Sequence, residues 1–137
     1  MDRLILGGAI GNCVHVAGVY AYMQLADSVG YKTKFLGAAV PPEHIVQAVQ
    51  DYDPYIVCVS YRLTPSALHG ILEEFFTMIE DRGLDDYRLF YFGGTPECIE
   101  VAKNFKQFSY FFQGEEHIEY ILKSLHVDGK KSDHSSV

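Results

Sequence analysis

Short apolar runs alternate along this chain with longer stretches in which apolar residues recur at helical spacing, and Gly, Pro and Asp sit at the joints. The pattern predicts strand–helix alternation throughout. Arg3 to Gly8 reads as a first strand, and a loop from Ala9 to about Val14 leads into a helix that runs to about Val29 and stops at Gly30. Lys32 to Leu36 reads as the second strand. Pro41 and Pro42 then open a helix through Glu43, Val46 and Val49 to Tyr52, because proline is tolerated in the first helical turn. Tyr55 to Ser60, with Ile56, Val57, Cys58 and Val59 in succession, has the composition of a central strand covered on both faces. Pro65 begins the third helix, in which Leu68, Ile71, Leu72, Phe75, Phe76 and Ile79 form one broad stripe up to Asp81; Arg82-Gly83 ends it. Leu89 to Phe92, stopping at Gly93-Gly94, is the fourth strand and Pro96 to Phe105 the fourth helix. Tyr110 to Phe112 and Glu115 to Leu125 complete the series.

Such alternation implies an α/β fold, a flavodoxin-like (Rossmann-like) doubly wound sheet of five parallel strands in the order 2-1-3-4-5. Right-handed crossovers bring the ends of strands one, three and four together, and ligands of such sheets bind outside those carboxyl ends. The loops that matter are therefore Ala9 to Gly18, Ser60 to Pro65, Gly93 to Pro96 and Gln113 to Glu115.

Composition narrows the choice. The 137 residues, 48% hydrophobic and 21% charged, suit one domain with its own core, taken as residues 1–126, followed by a polar tail, 127–137, expected to be disordered. Eleven Lys+Arg against eighteen Asp+Glu give a net charge of −7 with no basic cluster, which argues against nucleic acid and anionic membranes as partners. The opening MDRLILGGAIGNC is too short an apolar run to span a membrane and lacks the features of a signal peptide. Three cysteines, Cys13, Cys58 and Cys98, form no CxxC pair and fit a reducing compartment, so a cytoplasmic location is expected. Cys58, on a buried strand, reads as a small core residue; Cys98, in the first turn of helix four, reads as an inert residue rather than a reactive thiol.

The first loop carries Gly7, Gly8, Gly11 and Gly18 together with Asn12, Cys13 and His15, so its backbone can approach a ligand closely. His15 has two readings: a residue that caps or packs at the start of helix one, or a metal ligand through one ring nitrogen. What favours the second is its company. His15 to Gly18 (HVAG), Ser60 to Pro65 (SYRLTP) and Gly93-Gly94-Thr95 follow strands one, three and four. Together they resemble the cobalamin-binding domain shared by methionine synthase, corrinoid methyl-carrier proteins and coenzyme-B12 mutases, whose pattern is D-x-H-x-x-G, S-x-L and G-G after the same strands. The resemblance covers about Arg3 to Leu125, and the length is similar to that of the separate B12-binding subunit of glutamate mutase.

The resemblance implies that His15 is the lower axial ligand of cobalt and that Gly18 lets helix one approach the nucleotide tail. It implies that Ser60 hydrogen-bonds the buried benzimidazole, while Gly93 and Gly94 leave room for the tail. Asn12, Cys13, Tyr61, Arg62, Thr64, Thr95 and Gly114 complete the expected cofactor-binding set, with Tyr61 as a loop aromatic at the mouth. Two positions depart from the pattern: Cys13 stands at the aspartate and Arg62 at the leucine. Loss of an aspartate behind a ligating histidine weakens metal affinity by about 10- to 100-fold, so weaker histidine–cobalt bonding, or a proton-insensitive lower ligand, is expected rather than loss of binding. Arg62 either reaches the tail phosphate or a propionamide, or obstructs the slot.

Other chemistries find less support. Cys13 and His15 are too few for a zinc site. A receiver pocket requires carboxylates after strands one and three, where this chain has Gly-Gly-Ala and Ser-Tyr-Arg, and a flavodoxin phosphate loop requires more hydroxyls than Ala9 to Val14 supplies. Glu73-Glu74, Glu80-Asp81 and Asp85-Asp86 read as solvated acids; His44, His69, His117, His126 and His134 read as surface residues. The expected function is a corrinoid-binding subunit, not catalytic alone, that carries methylcobalamin or adenosylcobalamin and presents cobalt to a barrel-type mutase or methyltransferase partner. The alternatives are a sensor or interaction module with a changed ligand such as heme, and a stand-alone cobalamin carrier; a homodimer is compatible with each.

Overall fold

A computed structural model describes residues 3–127; the expected polar tail lies, apart from Val127, outside the described residues. The chain runs β1 (Leu4–Ala9), α1 (Ala17–Ser28), β2 (Lys32–Phe35), α2 (Pro42–Tyr52), β3 (Ile56–Tyr61), α3 (Pro65–Asp81), β4 (Leu89–Gly94), α4 (Pro96–Ala102), β5 (Phe108–Phe112) and α5 (Ile118–Ser124). All strand pairs are parallel, in the order β2-β1-β3-β4-β5. The order reverses between β1 and β3, and this switch point is where such a sheet leaves a crevice at its carboxyl edge.

Three helices, α2, α3 and α4, begin at proline, whose missing N–H would have had no partner in the first turn anyway. The period-two pleat divides the central strands between two cores. Val57, Val59 and Tyr61 of β3, with Phe90 and Phe92 of β4, pack under α2, α3 and α4; Cys58 and Tyr91 face α1 and α5. The first core is the larger, and α3 buries Leu68, Leu72, Phe75, Phe76 and Ile79 into it, each worth roughly 1.5–3 kcal/mol.

Several boundaries differ from expectation, and each difference shapes the strand ends. Helix α1 begins at Ala17 rather than near Val14, because Gly11 turns at φ +71° and fully buried Cys13 ties the chain down before the helix. Strand β3 continues through Tyr61 and β4 through Gly94, since Ser60 and Tyr61 pair in register with Gly93 and Gly94. Helix α4 stops at Ala102 instead of Phe105, and β5 starts at Phe108 instead of Tyr110. Helix α5 starts at Ile118 rather than Glu115, because the Glu116 carboxylate accepts the N–H groups of Gln113 (2.7 Å) and Gly114 (3.0 Å) and shapes the preceding loop. Among the described residues no helix is long and apolar enough to cross a membrane.

Candidate functional site

A cavity of about 290 Å³ opens at the carboxyl ends of the strands, on the face covered by α1 and α5. One wall is α1, with Gly18, Tyr22 and Leu25 at the spacing of successive turns on one helix face. The sheet contributes Cys58 and Ser60 of β3, Tyr91 and Gly93 of β4, and Phe112 of β5; Ile121 of α5 closes the other side. His15, Arg62, Gly114 and Glu116 also line it. The lining is mostly apolar with a few polar groups, the usual make-up of a small-molecule site.

His15 neither caps α1 nor packs in the core. Val16 occupies the N-cap position, and His15 is exposed in the preceding loop, its Nδ1 3.9 Å from Cys13 Sγ. Cys13 is fully buried, and its sulfur also accepts the Arg62 N–H at 3.4 Å. The thiol thus links the β1–α1 loop to the end of β3, while its carbonyl accepts the Ala39 N–H at 2.7 Å. Arg62 itself is exposed.

Ser60 is 5% exposed, and its Oγ is buried with no hydrogen-bond partner among the described residues. An unpaired buried hydroxyl costs about 1–3 kcal/mol, and such groups are rare in folded proteins. The tyrosine hydroxyls of the cavity are, by contrast, engaged. Tyr22 bonds Ser124 Oγ at 2.7 Å, and Tyr91 donates to the Ser124 carbonyl at 2.6 Å. Burial holds both phenols well above the ordinary tyrosine range, and burial likewise pushes the Cys58 thiol up, so all three stay neutral at physiological pH.

The glycines differ from one another. A Cβ built on Gly18 meets none of the described residues within 4 Å, and one on Gly93 would sit in ordinary contact with Phe112 O (3.6 Å) and Ser60 Cβ (3.8 Å). Gly94 is required by the protein itself. A Cβ there would lie 2.5 Å from the Tyr61 carbonyl oxygen and 2.8 Å from the Phe92 ring, and Gly94 does not line the cavity.

Tyr61 also departs from expectation. It is the last residue of β3 rather than a loop aromatic, it is fully buried in the core beneath α3 and α4, and its hydroxyl has no partner among the described residues. The pleat explains this, since Tyr61 must face away from Ser60. Asn12, Thr64 and Thr95 do not line the cavity either: Thr64 and Thr95 stand at the N-caps of α3 and α4, and the Thr95 hydroxyl accepts the Cys98 N–H at 3.2 Å. Cys98 is buried away from the site, and among the described residues no three His, Cys, Asp or Glu side chains gather as a metal site.

Tyr22, Leu25, Cys58, Tyr91, Phe112 and Ile121 were not among the expected site residues, yet they form most of its walls. The signal for them was periodic. Cys58 and Tyr91 lie two residues before Ser60 and Gly93 on the same sheet face, and Tyr22 and Leu25 lie four and seven residues after Gly18 on one helix face.

No family model matches the chain, and no curated protein does. Solved structures do. A cobalamin-binding protein from Desulfitobacterium hafniense superposes on 99% of the chain at a TM-score of 0.69 and 22% identity. The monomethylamine corrinoid protein of Methanosarcina barkeri does so over 90% at 0.71 and 17% identity. A chain of the methanol:cobalamin methyltransferase complex MtaBC from the same organism does so over 96% at 0.71 and 19% identity. The present chain spans 60%, 57% and 50% of those three chains. The receiver domain of the response regulator NarL from Mycobacterium tuberculosis follows at 0.53 and 10% identity, a reminder that this architecture hosts unrelated functions. By strand order and by superposition along nearly its whole described length, the chain has the fold of the cobalamin-binding domain.

Proposed function

We propose that this domain binds a corrinoid at the carboxyl edge of its sheet and presents the cobalt to a partner mutase or methyltransferase subunit. The observation that carries the reading is Ser60 Oγ, buried and unpaired beside an apolar cavity that His15 also lines. A buried hydroxyl without a partner is the complement of a ligand with one buried acceptor in an otherwise apolar body. The residues present fit such a group. Gly18 and Gly93 leave the wall free of side chains, Tyr22, Tyr91 and Phe112 offer aromatic surface to a nucleotide base, and Ser60 supplies the hydrogen bond.

His15 is the proposed lower ligand. With Nδ1 turned toward Cys13 Sγ, Nε2 is the nitrogen available to cobalt. A thiol at 3.9 Å is a weaker orienting group than a carboxylate, so His15 holds cobalt less firmly than a histidine backed by aspartate. Arg62, exposed at the mouth, supplies the positive charge for the tail phosphate. Bound methylcobalamin would supply methyl transfer, and adenosylcobalamin radical rearrangement; the protein's part would be to hold the tail, orient the ligand and leave the cobalt accessible to the partner. The similar solved proteins include corrinoid proteins and a methyltransferase complex, which supports the partner role.

An ultraviolet–visible titration with hydroxocobalamin and methylcobalamin, repeated with hemin, tests the reading. Saturable corrinoid binding is expected, with a spectral shift that is lost in His15→Ala while binding through the tail persists. An unchanged spectrum in that variant would remove His15 as the ligand. Binding of hemin without corrinoid would replace the reading by the heme alternative, and copurification with a barrel protein would separate a partnered subunit from a stand-alone carrier.

A further inference from the structure

We infer that the cavity selects the nucleotide base of its corrinoid by how many ring acceptors that base buries, and that Ser124 sets this selectivity by consuming two hydroxyl donors. The inference rests on the corrinoid reading and specifies the tail that the site takes.

A hydroxyl has one proton to donate. Ser124, fully buried in α5, spends its own on the Ile121 carbonyl at 2.6 Å. Its oxygen can therefore only accept in the 2.7 Å contact with Tyr22, so the Tyr22 proton is spent on Ser124. The Tyr91 proton is spent on the Ser124 carbonyl. Both tyrosines line the cavity, yet their donors are directed into α5. At the rim, the Gly114 N–H is held by Glu116. Arg62 and His15 line the exposed mouth, where they are assigned to the phosphate and the cobalt; inside, among the described residues, Ser60 Oγ remains as the strong donor without a partner, and the Cys58 thiol is a weak one. The rest of the wall is aromatic, with ring centroids of Tyr22 and Phe112 5.0 Å apart and those of Tyr91 and Phe112 6.2 Å apart.

A buried interior with one strong free donor suits a base with one free ring acceptor. A benzimidazole joined to ribose through one nitrogen has one acceptor left, which Ser60 pairs. An adenine joined in the same way has three, together with an amino group that needs acceptors of its own. Each acceptor buried without a donor weakens binding by about tenfold or more.

The test compares the affinities of three probes for the unmodified chain: cobalamin, its analogue with adenine as the lower base, and cobinamide, which lacks the nucleotide. Cobalamin is expected to bind at least about tenfold tighter than the adenine analogue. Ser124→Ala releases the Tyr22 hydroxyl to serve a second ring acceptor, so the ratio should narrow at least about threefold, and Tyr22→Phe combined with Ser124→Ala should restore it. Equal affinities for the two bases in the unmodified chain would overturn the inference while leaving corrinoid binding intact. A Ser124→Ala ratio equal to that of the parent would overturn the role of Ser124. Cobalamin binding no tighter than cobinamide would overturn the placement of the tail, and the inference with it. The comparison of probes needs no substitution, so it decides even if a variant fails to fold.

Discussion

Gly18 and Gly94 look alike in a motif and do opposite work. Gly94 is closed in by the Tyr61 carbonyl and the Phe92 ring, neither of which can yield without moving β3 or the core. Gly94→Ala is expected to cost about 2 kcal/mol or more, visible as a lower urea midpoint with no ligand present. Gly18 sits near the start of α1 with open space around it, so alanine there should leave stability unchanged or raise it by up to about 1 kcal/mol. The added methyl group borders the cavity, however, and corrinoid affinity should fall; denaturation and titration of the same variant separate the two effects. The motif resemblance singled out both glycines, but only packing distinguishes a glycine the fold needs from one the ligand needs. Cys13 makes the same point. Its place in the motif was legible, whereas its acceptance of the Arg62 N–H depends on how the first and third loops meet.

At the scale of elements, the two ends of the sheet are specialised differently. The carboxyl end holds the cavity, and the opposite end is fastened by Arg88, whose buried side chain donates to the carbonyls of Pro54 (2.7 Å) and Leu84 (2.8 Å) and to Asp53 (3.1 Å). Asp53 caps α2 in the left-handed region at φ +51°, and Tyr87 also donates to it. The Tyr87 hydrogen bond first, and then that of Arg88, hold the Asp53 carboxyl below its usual range. A carboxyl lowered by folding stabilises the folded chain above the unfolded pKa, and that contribution is lost as pH falls through the folded value. Asp53→Asn, which tolerates the same backbone, should therefore be less stable than the parent by a constant margin from pH 7 to about 4, with the margin closing in stronger acid. Urea denaturation at a series of pH values measures it; because Asp53 is exposed, the effect is modest. Helix α5 is the counterexample to reading elements by hydrophobic stripe alone. The residue it buries completely is Ser124, and three tyrosine hydroxyls, of Tyr22, Tyr31 and Tyr91, hold its end in place.

For the whole molecule, ligand binding and folding are linked, because the cavity walls come from α1, α5 and three strands that are assembled only in the folded state. A corrinoid at 100 times its Kd should add about 2.7 kcal/mol, which for a domain of this size raises Tm by roughly 8–13 °C. Cobinamide should give a smaller rise, and thermal melts with both ligands check whether the tail contributes. Element order, the parallel sheet and the convergence of three loops on one edge were determined by the sequence alone, because hydrophobic period and Pro/Gly punctuation are local properties of the chain. Element ends were less legible, since β3 and β4 gain their last residues by pairing with each other and α5 loses its first turn to the Glu116 carboxylate. The cavity itself, the unpaired Ser60 hydroxyl and the spent donors of Tyr22 and Tyr91 were decided by tertiary structure. Whether a hydroxyl is free depends on which partner packing brings within reach, and the partner of Tyr22 lies 102 residues away along the chain.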